Sequence, residues 1–257
     1  SPVGDGAKRV TGNAAPASSG VSRADVSGHN GGGAPRGGWC CGERPCGGRR
    51  DNDAMKTTAR LEAGLAELAR LDPRMGELWA RIGTPGPRPR KPGFATLLRV
   101  IVGQQLSTKA AASIWQRLED AGAADAAAFL GHDDDALRAF GLSRQKIAYG
   151  RGLAAAIEGG ALNLRRVHRM GDDDAIAELV ALKGIGVWSA ECYLLFALGR
   201  PDIMPADDLA LAIAAGRLVG DGDRMKPAAL RAAAEPWRPW RSAAARLLWH
   251  AYGIDAL

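Results

Sequence analysis

Two adjacent carboxylates, Asp207 and Asp208, are the side chains of this sequence best placed to do chemistry. They follow Pro205-Ala206 and precede Leu209, where an apolar run with helical spacing begins. The positive end of a helix dipole and the first unpaired amides both stabilise a carboxylate at such a position. In isolation, this pattern favours an N-terminal cap over a reactive carboxylate.

A second informative stretch, residues 182–190, precedes the aspartates and has the sequence Leu-Lys-Gly-Ile-Gly-Val-Trp-Ser-Ala. Apolar residues at helical spacing flank it, which places Gly184 and Gly186 in a turn between two helices. The glycines permit backbone conformations closed to other residues and a close approach to another surface. The first amides of the second helix would then form an anion site suited to a phosphate, with Ile185 anchored in the core. A plain helical hairpin explains the two glycines equally well.

Together, the pattern L-x-G-I-G-x-W-S-A and the later PADDLAL resemble the helix-hairpin-helix superfamily of DNA glycosylases, over roughly residues 60–255. The resemblance implies hydrolysis of the N-glycosidic bond of a damaged base in double-stranded DNA, as part of base excision repair. Asp208 aligns with the catalytic carboxylate, which stabilises positive charge on the deoxyribose as the base leaves. Asp207 would be its capping or solvent-facing neighbour. The target nucleotide must be rotated out of the duplex.

Trp188 and the cysteines indicate the branch of the superfamily. Bifunctional members carry a lysine at the position of Trp188, so the resemblance implies a monofunctional enzyme that leaves an abasic site. No cysteine follows Cys192, so neither an iron–sulfur cluster nor any other cofactor is expected. A tryptophan here resembles 3-methyladenine DNA glycosylase II, which acts on alkylated bases of the 3-methyladenine and 7-methylguanine type. The alternatives are a glycosylase for oxidised or deaminated bases and a non-catalytic helix-hairpin-helix DNA-binding protein.

The resemblance also assigns residues to the substrate and to the DNA. Trp188 and Trp249 would stack on a cationic base, although a core position is the alternative for Trp249. Gln104 and Gln105 interrupt an apolar stripe, which indicates either a turn or side chains offered to DNA, with Gln105 the better candidate for a minor-groove wedge. The predicted substrate-binding set is Trp188, Trp249, Gln104, Cys192 and Tyr193, and the predicted DNA-binding set is Gln105, Lys183, Gly184, Ile185, Gly186 and Ser189. No metal site made of side chains is expected, but the carbonyls of Val180, Leu182 and Ile185 would hold a monovalent cation.

The composition is compatible with this assignment without requiring it. The chain has 257 residues, with 34 Lys and Arg against 28 Asp and Glu, a net charge of +6 and a pI near 9.4. A modestly basic protein permits a polyanionic partner. There is neither an apolar run long enough for a membrane span nor a secretory signal, so we expect a cytoplasmic, nucleoid-associated monomer. Cys40, Cys41 and Cys46 lack a fourth ligand, which favours free thiols over a zinc site.

The elements that must position these residues are predicted to be helices. Residues 1–54 are glycine-rich with few large aliphatic side chains, so this tail is predicted to be disordered. Residues 55–257 show helical periodicity without sustained alternation, which predicts an all-α glycosylase domain. The resemblance implies two helical subdomains with an interdomain cleft: a middle bundle over 93–204, and 55–92 together with 205–257. Four prolines among basic residues predict a loop over 84–92.

Overall fold

The computed structural model describes residues 55–257, and the described part of the chain is all-α, as predicted. None of its helices is long and apolar enough to cross a membrane. The predicted disorder of residues 1–54 lies outside the described residues. The helices are α1 (Thr58–Leu71), α2 (Pro73–Ile82), α3 (Phe94–Gly103), α4 (Thr108–Asp120), α5 (Ala126–Gly131), α6 (Asp134–Ala139), α7 (Arg144–Glu158), α8 (Leu164–Arg169), α9 (Asp172–Val180), α10 (Val187–Phe196), α11 (Leu209–Val219), α12 (Pro227–Ala233) and α13 (Arg241–Gly253), with a 3₁₀ turn at Glu235–Trp237 before α13.

Side-chain caps set where most of these helices begin. An oxygen of the capping residue accepts a hydrogen bond from an amide of the first turn. This holds for Thr57, Asp72, Ser107, Asp125, Asp133, Ser143, Asn163 and Asp208. At α10, by contrast, Gly186 is the cap and no side chain accepts from the first amides. The hairpin therefore presents an uncapped helix start.

Within residues 55–257, the helices contact one another in two groups. In one group, α3 packs on α4, α7 and α10, α5 and α6 pack on α7, and α9 packs on α8 and α10. In the other, α13 packs on α1, α2 and α11, and α12 packs on α11. Between α2 and α3 the chain has no helix, as predicted for 84–92, and the amide of Arg90 donates to the carbonyl of Phe196 at 3.1 Å. The division into two subdomains stays a prediction.

The turn between α9 and α10 depends on its two glycines in different ways. Gly184 has φ of 97°, and a Cβ there would lie 2.3 Å from Cγ of Tyr149, so only glycine fits. Gly186 has φ of −88° with open space beside it. Of the two glycines expected to permit such a conformation, only Gly184 adopts one, because any residue can adopt the backbone angles of Gly186. Ile185 is buried in the core as predicted, which anchors the turn.

Candidate active site

Asp208 is both the cap of α11 and the centre of a hydrogen-bonded cluster. Its Oδ1 accepts from the amide of Leu211 at 3.0 Å and from Nε1 of Trp249 at 2.9 Å. Its Oδ2 accepts from Nε1 of Trp188 at 3.0 Å. Three donors from α10, α11 and α13 thus fix both carboxylate oxygens. The two interpretations of the sequence, a cap or a reactive carboxylate, do not exclude each other.

A cavity of about 360 Å³ opens beside this carboxylate. The turn after α3 forms one side of it, and the starts of α10 and α11 form the other. Its lining residues are Gly103, Gln104, Gln105, Trp188, Asp207, Asp208 and Leu209. The volume is in the range of small-molecule binding sites. Asp208 is therefore presented to a space that can receive a ligand.

The two tryptophans have a role that the sequence did not reveal. Their indole N–H groups both bind Asp208, and the ring of Trp249 stacks on Phe196 with centroids 5.4 Å apart. An indole nitrogen that is partly buried needs an acceptor, and a carboxylate is a strong one. Stacking of either ring on a base stays a prediction. What the structure shows is that they orient the carboxylate.

The turn that carries Gln105 is held from two sides. Nε2 of Gln104 donates to the carbonyl of Gly184 at 3.0 Å and to Oγ of Ser189 at 3.3 Å, and Nζ of Lys146 donates to the carbonyl of Gln104 at 2.9 Å. Gln105 is exposed, with φ of 57°, a left-handed conformation that costs a non-glycine residue free energy. A strained, exposed polar side chain on a fixed turn suits the wedge role predicted for Gln105. Gln104 lines the cavity but also fastens this turn to the hairpin.

Tyr193 was wrongly assigned to the substrate-binding set. Its side chain is fully buried, and its hydroxyl accepts from the amide of Gly93 at 3.2 Å and lies 3.4 Å from Nε2 of His168. Burial raises the pKa of Tyr193 to about 12. The physical reason is helix geometry, because consecutive residues point about 100° apart and only one of two neighbours can face the cavity side.

Cys192 is one helical turn after Trp188 on α10. It is 6% exposed and lies outside the lining of the cavity. Burial, together with the negative charges of Asp208 and Glu191, raises the pKa of this thiol well above its usual value. Cys192 is therefore a neutral side chain close to Asp208. A contact between Cys192 and a base stays a prediction.

The predicted DNA-binding residues separate into exposed and buried ones. Lys183 and Gly186 are exposed at the uncapped start of α10, where an anion would be stabilised. Ser189 is 3% exposed and its hydroxyl accepts from Gln104, so its side chain is engaged within the protein, and a contact of Ser189 with DNA stays a prediction. Ile185 is also buried and offers only its backbone. The carbonyl of Leu182 accepts from the amide of Ile185 at 3.1 Å, and the monovalent cation on this turn stays a prediction.

A buried ion-pair network next to Asp208 was missed. Glu191 of α10 is 3% exposed and accepts from Arg231 of α12 at 2.8 Å. The same guanidinium donates to Oδ2 of Asp207 at 2.9 Å and to the carbonyl of Met204 at 3.3 Å. Asp207 is therefore an ion-pair partner of Arg231, and Asp208 alone caps α11. The signal in the sequence was a glutamate within an otherwise apolar helix, because a buried carboxylate requires a cation.

Comparisons with known proteins agree with this geometry. Residues 98–239, more than half of the chain, match the family described as HhH-GPD superfamily base excision DNA repair protein. DNA-3-methyladenine glycosylase 1 of Schizosaccharomyces pombe is 32% identical over 127 residues, which are 48% of this chain and 56% of that protein. The chain thus spans about half the length of this curated relative.

Two solved structures share the fold over most of the described chain. The DNA-3-methyladenine glycosidase of Bacillus halodurans is 33% identical, with a TM-score of 0.66 over 75% of this chain and 90% of that one. The Schizosaccharomyces pombe 3-methyladenine DNA glycosylase in complex with abasic DNA is 29% identical, with a TM-score of 0.67 over 73% of this chain and 95% of that one.

Proposed function

Because this chain belongs to the HhH-GPD superfamily of base excision DNA repair proteins, we propose that it is a monofunctional glycosylase that removes alkylated bases from double-stranded DNA. The observation that carries the proposal is Asp208, fixed by Trp188 and Trp249 at the edge of a cavity. The names of the similar proteins, which refer to 3-methyladenine, support alkylated bases as the substrates.

In the proposed reaction, Asp208 faces C1′ of the flipped nucleotide. The C1′–N bond breaks, and its electron pair leaves with the base. The carboxylate stabilises the positive charge that grows on the sugar. Water then adds its oxygen to C1′ and releases a proton. A purine methylated at N3 or N7 carries a positive charge in DNA and leaves neutral, so it requires no general acid.

The product follows from the residue at position 188. A bifunctional enzyme of this superfamily needs an amine there to form a Schiff base with the opened sugar. Trp188 has only an indole N–H, which is not a nucleophile and is engaged by Asp208. The proposed product is therefore an intact abasic site.

The proposed DNA-binding surface includes the hairpin and the turn after α3. Lys183, Gly186 and the free amides at the start of α10 would receive a backbone phosphate, which fixes the register without reading the sequence. Gln105 would enter the minor groove and occupy the space that the flipped base vacates. We propose that the protein acts as a monomer on such DNA.

The direct test is incubation of the wild-type protein with methylated duplex DNA, followed by chromatography of released bases and a gel assay of strand integrity. The proposal predicts free 3-methyladenine or 7-methylguanine, and strand breaks only after alkali treatment. Breaks without alkali would contradict the monofunctional assignment. If no methylated base is released, duplexes that carry oxidised or deaminated bases are assayed in the same way, and release from them would change the substrate class. Duplex binding without release of any of these bases would indicate a binding protein.

A further inference from the structure

Lys146, in the first turn of α7, makes two hydrogen bonds to the end of α3. Its Nζ donates to the carbonyl of Val102 at 2.7 Å and to the carbonyl of Gln104 at 2.9 Å. The last carbonyls of a helix have no partner within the helix, and a cation beside them is favourable. Lys146 is half-buried, which lowers the pKa of its ammonium group, and it has no carboxylate partner among residues 55–257. The two carbonyls therefore replace the water that this ammonium group has lost.

The turn that these bonds hold is only weakly fixed by its own backbone. The amides of Gln104 and Leu106 each donate to the carbonyl three residues earlier, at 3.3 Å. Gln105 has φ of 57°, so the turn holds conformational free energy that favours its relaxation. The bonds from Lys146 are shorter and come from a charged donor, which makes them stronger than the neutral backbone bonds. Lys146 is thus the restraint that α7 places on the turn.

Gln105 lies between two cavities. One is the cavity beside Asp208, and the other, also about 360 Å³, lies between the turn and the hairpin. The lining residues of the second cavity are Gln104, Gln105, Gln145, Lys146, Tyr149, Gly184, Ile185 and Gly186. In the proposed complex, the first cavity would receive the flipped nucleotide, and the second would face a phosphate bound at Gly186. The position of the turn therefore affects both sites.

We propose that Lys146 is a positioning residue for base flipping: through the carbonyls of Val102 and Gln104, it holds the turn so that Gln105 reaches the space left by the flipped base. This rests on the proposed function. The effect passes through the turn and not through a contact of Lys146 with the DNA, because both of its hydrogen bonds are to the protein. Loss of these bonds lets Gln105 leave the position from which it fills the base stack.

A double-mutant cycle between Lys146 and Gln105 tests the inference. Single-turnover excision of 7-methylguanine, with protein in saturating excess, is measured for Lys146→Met in the wild-type and in the Gln105→Ala background. Excision should fall by about tenfold or more in the wild-type background, and by less than about twofold where residue 105 is already alanine. Thermal unfolding, in contrast, should change equally in both backgrounds, because the two carbonyls accept whatever side chain residue 105 carries.

A second readout does not require excision. A duplex carries 2-aminopurine beside an abasic-site analogue, and the fluorescence of 2-aminopurine reports the change of stacking when the wedge enters. At saturating protein, Lys146→Met and Gln105→Ala should each reduce the fluorescence change of the wild type, and by similar amounts. If Lys146→Met does not fold, Lys146→Gln, which keeps an N–H donor without the charge, takes its place in both measurements.

Arg144→Met is the matched control. It removes a positive charge from the same first turn of α7, but Arg144 is exposed and makes no side-chain hydrogen bond within the described residues. Its excision rate and fluorescence change at saturating protein are expected to stay at the wild-type values. An equal fall for Lys146→Met in both backgrounds, or the same fall for Arg144→Met, would overturn the inference.

The two readouts separate failure of the inference from failure of the proposed function. Wild-type protein that releases no base would contradict the proposed function. A fluorescence change that is as large in Lys146→Met as in the wild type would contradict the inference alone, because this signal depends on the wedge and not on excision.

Discussion

The carboxylate of Asp208 has no free rotation in this protein. Trp188 donates to Oδ2 and Trp249 to Oδ1, and the amide of Leu211 also donates to Oδ1. A group that must face a developing charge gains most when its orientation is fixed before the substrate arrives. A single cap residue thereby becomes a pre-oriented catalytic group. The strained conformation of Gln105, in contrast, has no partner that explains it within the described chain.

Gln105 allows stability and activity to be separated at one position. Replacement by glycine removes the conformational free energy that a side chain costs at φ near 57°, whereas replacement by alanine keeps it. Gln105→Gly is therefore expected to be more stable than Gln105→Ala by about 1 kcal/mol. If the side chain is the wedge, both variants lose excision activity to the same extent. Thermal unfolding and single-turnover excision measure the two effects, and wild-type excision by either variant would exclude the wedge role.

Between α10 and α11, the chain that carries Asp208 is held by arginines from later in the sequence. Arg231 donates to the carboxylates of Glu191 on α10 and of Asp207, and to the carbonyl of Met204. Arg241 donates to the backbone carbonyl and to the carboxylate of Asp202. These bonds tie the start of α11 to the helix that presents Trp188. The position of Asp208 against the tryptophans is thus a property of several elements together.

Removal of Arg231 is expected to make stability depend on pH. Burial raises the pKa of Glu191 even with Arg231 present, and the hydrogen bond and charge of Arg231 oppose that rise. In Arg231→Met the pKa of Glu191 rises further. A carboxyl group whose pKa is higher in the folded state stabilises the fold below its unfolded pKa, and this contribution is lost as pH rises through the folded pKa.

Thermal unfolding from pH 4 to pH 8 measures this effect. Arg231→Met should lose more stability than the wild type as pH rises through this interval, because Glu191 must then ionise without a cation. The double variant Arg231→Met/Glu191→Gln removes the titrating group and should show the wild-type dependence or less. Parallel curves for Arg231→Met and the wild type would show that Glu191 does not depend on Arg231.

Alanine substitutions at the two glycines of the hairpin are expected to affect different properties, the stability of the fold at Gly184 and the affinity for DNA at Gly186. Gly184→Ala places a Cβ against Tyr149 in a left-handed conformation and should destabilise the fold by about 2 kcal/mol or more. Gly186→Ala meets open space and should unfold near the wild-type temperature. A methyl group there would hold a phosphate away from the amides of α10, so DNA affinity should fall. Equal binding of undamaged duplex by Gly186→Ala and the wild type would remove the hairpin from the DNA-binding surface.

At the scale of the whole molecule, features set by local sequence patterns could be predicted, whereas contacts between residues far apart in the chain could not. Periodicity predicted the all-α fold, and the family resemblance of residues 182–190 and 205–211 pointed to Trp188 and Asp208, which line one cavity. The sequence could not show that Trp188 and Trp249 would meet on Asp208, since their helices are brought together only by packing. The same holds for Arg231, whose partners lie on α10 and before α11. Tyr193 was misplaced because the side of α10 that faces the cavity is set by tertiary contacts.

The central claim is that Asp208 does the chemistry, and one comparison tests it most directly. Single-turnover excision of a methylated base is measured for Asp208→Asn and Asp207→Asn, together with binding of abasic duplex DNA. Both variants remove one negative charge at the same helix start, but only Asp208 contacts the two tryptophans. We expect Asp208→Asn to bind DNA while excision falls by at least about a hundredfold, and Asp207→Asn to remain active. Comparable excision by the two variants would contradict the account.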